Sequence, residues 1–362
     1  MLKNFLATRY GVILVGAIIG VLAIALQFLG NPGNMGICVV CFNRDIAGAI
    51  GLHSAAVVQY LRPEILGMVL GAFIAAFTFG EFKSRAGSSP AIRFVLGVIT
   101  ATSALVFLGC PWRTILRLAG GDANAIFGFT GLFVGVGIGV LFFKRGYSLG
   151  RTQSTAKASG LIFPVLMVGL LVLLFLFPQI TGEAKSGVLN YSIKGPGAMH
   201  APLLLSLGAG LIVGFLAQRS RFCTMGAIRD FILFRSTHLL FGLLALFVMA
   251  LILNFLLGSF NFGFEKQAVA HSDSIWNFLS MLTVGLASAL AGGCPGRQLF
   301  MASEGDNDAV VYVVGMFVGA ALAHNFAIAA SPTGIGANSA MAVIIGLIAS
   351  LSIGFLQIKR GV

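Results

Sequence analysis

Ten apolar runs, roughly 10–29, 64–82, 92–109, 125–143, 160–178, 202–217, 238–258, 276–293, 309–329 and 339–357, leave this chain few alternatives. Runs of this length span a hydrocarbon core of ~30 Å as helices, and within that core only helices and closed barrels satisfy their own backbone. The chain is 58% hydrophobic and 9% charged, whereas a soluble chain carries about a quarter charged residues. The expectation is an all-α polytopic membrane protein with about ten membrane-crossing helices. Lys3 and Arg9 precede the first run as in a signal peptide. That run is too long for an h-region and lacks a small-residue cleavage site, so it reads as a retained span.

The net charge of +12 does not point to nucleic acid, because the basic residues are scattered through short loops with no basic tail or aromatic-interleaved patch. Ten crossings put both termini on one side, and most Lys and Arg then fall there, including Lys3, Lys359 and Arg360. The positive-inside rule makes that side cytoplasmic. The five cysteines, an odd count in or beside apolar segments, do not fit a secreted disulfide framework.

The polar insert 179–200 divides the chain into two halves, 1–178 and 201–362, and the halves repeat each other. At a shift of 185, Cys38, Arg44, Asp45 and His53 fall on Cys223, Arg229, Asp230 and His238. At a shift of 184, Cys110, Pro111, Arg113, Gly121 and Asp122 fall on Cys294, Pro295, Arg297, Gly305 and Asp306. Five crossings per half make the second copy enter the membrane from the opposite face. Such an inverted-topology repeat places a solute site near the midplane, where the copies meet.

The matched segments, NPGNMGICVVCFNRD (31–45), GCPWRTILRLAGGD (109–122), QRSRFCTMGAIRD (218–230) and GGCPGRQLFMASEGD (292–306), are polar chain between apolar runs. Irregular backbone survives at membrane depth only inside protein or along a cavity. Proline directly after Cys110 and Cys294 suits the first turn of a short helix. Each thiol would then sit at a helix N-terminus among free N–H donors, which favours anions. A bland alternative is tight packing around a small buried thiol; finding the thiol twice, each with a matched arginine, favours function.

Arg113 and Arg297 lie one turn beyond those thiols. A buried arginine needs a partner, and Asp122 and Asp306 are the expected ones. Arg44–Asp45 and Arg229–Asp230 read as adjacent structural ion pairs. His53 and His238 read as helix ties, with a proton relay left open. Cys38-x-x-Cys41 has the spacing of a redox dithiol, but Cys41 aligns with Gly226 and has no counterpart. His200 and His271 fall in loops and His324 alone in a span, so no zinc ligand set forms. No metal, cofactor or ATP-binding motif is read. Gly135, Gly137 and Gly139 lie inside a span and read as helix packing.

Through these motifs, over essentially its whole length, the chain resembles the YeeE/YedE family of bacterial sulfur transport membrane proteins, and within it the YedE branch associated with selenium metabolism. The resemblance implies an hourglass-like helical fold with loops buried at its centre. It implies uptake of thiosulfate or a similar sulfur- or selenium-containing anion across the bacterial inner membrane, passed between cysteine thiols. Those thiols carry over to Cys38, Cys110, Cys223 and Cys294, and a separate small cytosolic sulfur-carrier protein is an implied partner. The expectation is therefore a transporter and not an enzyme, with Arg113 receiving the anion outside and Arg297 inside. The alternative is a membrane-embedded thiol enzyme that relays sulfur, selenium or electrons through a persulfide or disulfide.

Overall fold

The computed structural model describes residues 5–358; Lys3, Lys359 and Arg360, which entered the charge argument, lie outside them. In chain order the helices are α1 (Arg9–Phe28), α2 (Val39–Ala49), α3 (Pro63–Thr78), α4 (Pro90–Phe107), α5 (Pro111–Ala119), α6 (Asn124–Lys144) and α7 (Lys157–Leu176). After the connector come α8 (Leu203–Ser220), α9 (Thr224–Phe234), α10 (His238–Leu256), α11 (Ser274–Ala291), α12 (Pro295–Ser303), α13 (Asn307–Asn325) and α14 (Ser339–Leu356). Among the described residues there are also two small antiparallel ribbons, Arg85–Ala86 with Gln153–Ser154 and Lys185–Ser186 with Leu189–Asn190.

The ten long helices fall on the ten apolar runs. Among the described residues nine candidate spans are long and apolar enough to cross a membrane, and α3 is a shorter apolar helix. The chain is a multi-pass α-helical membrane protein. Its outer faces carry large exposed apolar side chains such as Phe77, Leu176, Leu256 and Phe355, which suits a hydrocarbon surround. Inside, α2, α5 and α12 are buried along nearly all their length.

The halves correspond at the level of elements. Helices α2 and α9 begin and end 185 residues apart, and the pairs α4/α11 and α5/α12 begin and end 184 apart. Their packing corresponds as well. Helix α3 lies on α8 as α10 lies on α1, and α6 lies on α11 as α13 lies on α4. Each pairing becomes the other when the halves are exchanged, and every one joins the two halves. The outermost helices depart from this scheme, since α7 packs on α3 while α14 packs on α4 and α11.

Small residues make these pairings close. Glycines four apart, one turn up the same face, line the contacts: Gly67 and Gly71 against α8, Gly131 and Gly135 against α11, Gly210 and Gly214 against α3, and Gly315 and Gly319 against α4. In lipid, where apolar burial drives little association, such small-residue stripes let backbones touch. A Cβ at Gly135 would overlap the Leu282 carbonyl, whereas one at Gly137 would meet almost nothing. Gly135→Val is therefore expected to cost ~1–3 kcal/mol by overpacking, read as a lower melting temperature in detergent. Gly137→Val should leave that temperature unchanged.

Candidate functional site

Each repeat-matched cysteine is the N-cap of a short helix: Cys38 of α2, Cys110 of α5, Cys223 of α9 and Cys294 of α12. They fall into two kinds. All four have extended backbone, but only the Cys38 and Cys223 sulfurs accept from N–H groups three residues on, Cys41 N at 3.4 Å and Gly226 N at 3.3 Å. The thiol does there what a serine or aspartate usually does at that position. Cys110 and Cys294 are followed by proline at N1 and make no such side-chain cap.

The sulfurs gather in two clusters. Cys223 and Cys294 lie Sγ to Sγ at 3.5 Å, and the Cys294 N–H also points at Cys223 Sγ at 3.5 Å. Cys38, Cys41 and Cys110 are immediate neighbours in the other half, with Arg113 Nη1 3.8 Å from Cys41 Sγ. All five are free thiols and buried. Cys41, which has no repeat counterpart, thus joins the first cluster; its position at N3, one turn above a capping cysteine, is the signal in the sequence. The short helices also touch across the halves, α2 with α12 and α5 with α9.

The arginines at +3 do not pair as the sequence suggested. Arg113 is fully buried and donates only to backbone carbonyls and sulfur: Asn34 O at 3.1 Å, Leu108 O, Ala268 O at 3.3 Å and Val269 O at 3.0 Å. Asp122 is taken by Arg117 instead, at 2.6 Å. The turn at Gly120-Gly121, with Gly121 at φ +93°, folds the acid back onto its own helix. Asp306 pairs with Arg85 from the other half at 2.9 Å. Arg297 pairs with Glu304 at 2.9 Å, and the same buried Glu304 receives Arg221 at 2.7 Å. The cause is local: position 304 is glutamate where its counterpart, Gly120, has no side chain to offer.

Arg44–Asp45 and Arg229–Asp230 do form ion pairs, at 2.6 and 2.8 Å. Asp45 also binds Arg62 at 2.7 Å, and both arginines are buried with it. Arg62 further donates to the carbonyls of Met199 and Pro196, fastening the connector to the first half. His53 ties α2, its Nε2 3.0 Å from the Arg44 carbonyl. His324 is not alone, because its ring lies against that of His53, centroids 4.6 Å apart and tilted by 32°. His238 begins α10 and faces the cavity described next.

The two clusters differ in access. A cavity of about 510 Å³ reaches Cys223 and is lined by Arg221, Arg229, Asp230, His238 and Arg297 among others. Beside it, Glu81 binds Arg219 at 2.5 Å and Arg221 at 2.8 Å. Burial alone would raise the Glu81 carboxyl, but hydrogen bonds from Arg219 and Gln218 and the charge of Arg221 hold it below the usual carboxylate range. The first cluster is covered. The connection 257–273 between α10 and α11 lies over it like a strap, bonded to the α5–α6 turn through Asn261 N to Gly120 O at 2.9 Å and Ala123 N to Gly263 O at 2.9 Å. Its counterpart, the α3–α4 connection, makes the same kind of contact through Lys83 N to Glu304 O at 2.9 Å, but is shorter. The extra length carries Ala268 and Val269 onto Arg113, with Val269 held at φ +49°, a region that β-branched residues avoid. The expected outer mouth at Arg113 is therefore shut in this structure.

No curated protein matches the chain. The sequence profile of a family described as sulphur transport matches residues 219–358, a stretch that runs from Arg219 through α14. It contains Cys223, Arg229, Asp230, His238, Cys294, Arg297 and Asp306, so the match falls on the half whose Cys223 opens to the cavity. Over that stretch the chain is similar to the sulphur transport family, and the chain as a whole is a multi-pass α-helical membrane protein.

Proposed function

We propose that this chain takes up a small sulfur- or selenium-containing anion, thiosulfate-like in size, along a route that passes the two thiol clusters. The observation that carries the reading is that all four repeat-matched cysteines cap helices that meet across the halves. Four helix N-termini supply positive potential and N–H donors to an anion. Thiols are soft, weak donors that replace hydration without holding tightly, and passage requires binding that also releases. The cavity beside Cys223, with three arginines in its wall, serves as the cytoplasmic mouth. The first cluster faces outward beneath the strap.

The two copies are inserted in opposite senses and meet in an hourglass at mid-bilayer. The exchange of helix pairings between the halves supports that relation, and the loop charges support cytoplasmic termini in a bacterial inner membrane. A separate sulfur-carrier protein would collect the product at the Cys223 mouth. The thiol-enzyme reading draws on one observation, the 3.5 Å approach of Cys223 and Cys294. Mass spectrometry after exposure to thiosulfate separates the two, since a stoichiometric persulfide on a cysteine favours the enzyme.

Uptake of labelled thiosulfate into proteoliposomes tests the route. Cys110→Ala is expected to reduce the initial rate at least ~10-fold, the size of effect given by ~1.4 kcal/mol at the barrier. An unchanged rate in correctly folded protein rejects the route.

A further inference from the structure

We propose that Trp112 is the selectivity element of the neck, a ring that sets the width of the route and offers its indole N–H to an oxygen of the passing anion. This rests on the thiol route above and names a residue which that route does not use. Trp112 is the second residue of α5, two after Cys110, and is 2% exposed. Its ring reaches out of its own half. It meets Phe222 edge-on, centroid to centroid at 5.6 Å, beside Cys223, and lies 6.0 Å from Phe300 of α12. A Cβ on Gly296, two residues after Cys294, would sit 3.5 Å from the indole. One side chain thus reaches from the helix that Cys110 caps to residues that adjoin Cys223 and Cys294.

Two further features give the ring a role beyond filling space. Its Nε1–H is buried without a hydrogen-bond partner, although buried indole N–H groups ordinarily find one. The hydroxyl of Thr224, next to Cys223 at the start of α9, is buried and unpartnered as well. A thiosulfate-like anion has a soft sulfur end and a hard oxygen end. Thiols suit the first, and a neutral N–H and O–H suit the second without the grip of a cation. The apolar bulk of the indole, set against Phe222 and Phe300, closes the neck to larger solutes.

The test uses the full chain and has a binding arm and a transport arm. The chain has two tryptophans, so Trp276→Phe leaves Trp112 as the only indole. Sodium thiosulfate titrated into that protein in detergent is expected to shift its emission saturably, with sodium chloride at equal ionic strength giving no shift. In proteoliposomes Trp112→Phe, which keeps the ring and removes the N–H, is expected to raise KM for thiosulfate about 5- to 20-fold with the maximal rate within 2-fold. Trp112→Ala is expected to admit sulfate and bulkier thiosulfonates that the native protein excludes. Unshifted emission together with a native KM in Trp112→Phe overturns the assignment. If Cys110→Ala abolishes uptake while Trp112→Phe behaves as native, the route stands and the role of Trp112 falls. If Cys110→Ala leaves uptake intact, the route itself falls, and the role of Trp112 with it.

Discussion

Asp45→Asn is expected to leave little correctly folded protein in the membrane, whereas Asp230→Asn at the matching position should be recovered at native levels. The two acids are repeat counterparts, each beside an arginine, but their surroundings differ. Asp45 is fully buried and is the carboxylate for both Arg44 and Arg62, themselves buried. Removing its charge leaves two buried guanidiniums without their ion-pair partner, and breaking a buried pair from one side costs about 3–5 kcal/mol. It also loosens Arg62, whose other donors hold the connector at Pro196 and Met199. Asp230 and Arg229 are 25% and 33% exposed, and an exposed pair contributes at most ~1 kcal/mol. Yield of monodisperse protein and thermal midpoint in detergent, compared between the two variants, check this. Equal losses would mean that the first pair is no more structural than the second.

Locking the strap is expected to stop uptake reversibly. Gly33 and Ala268 face each other, with only 2.7 Å between the Ala268 Cβ and a Cβ placed on Gly33. A disulfide needs Cβ atoms ~3.5–4.5 Å apart, so the Gly33→Cys, Ala268→Cys pair requires a shift of about an ångström in a surface connection. Under oxidant the bridge should hold Ala268 and Val269 on Arg113 and cut thiosulfate uptake at least ~10-fold, with recovery on adding reductant. Each single variant should transport as native under both conditions, which controls for the native cysteines. A cross-linked protein that transports at the native rate would show that the strap need not move.

The strap matters because of what it does to Arg113. A fully buried guanidinium without a carboxylate is costly, and here backbone carbonyls satisfy it in place of an anion. Arg297, its counterpart, is paired with Glu304 and stands at the edge of an open cavity. Equivalent arginines are thus held by unlike means. The first is freed only by moving backbone, and the second already faces the cavity.

Much of this organisation was legible from sequence because it is written in short-range chemistry. Proline after Cys110 and Cys294 marks a helix start in any context, and the ten apolar runs can hardly be other than spans. Adjacent acid–base pairs such as Arg44–Asp45 find each other without tertiary information. The misassigned partners are those chosen in three dimensions. Asp306 binds Arg85, 221 residues away, and no periodicity in either half announces that contact. Arg117–Asp122 was readable in principle, since the two glycines before the acid signal a helix end that turns back. Trp112 escaped notice because its counterpart is glycine, and a comparison of the halves searches for likeness.

That same mismatch has a consequence for symmetry. Positions 112 and 296 are equivalent in the repeat and touch one another. In an assembly of two identical copies each would meet itself, and two indoles cannot share the space that one indole and a glycine fill here. Carrying both copies in a single chain is what permits the unequal pair, one indole set against one glycine.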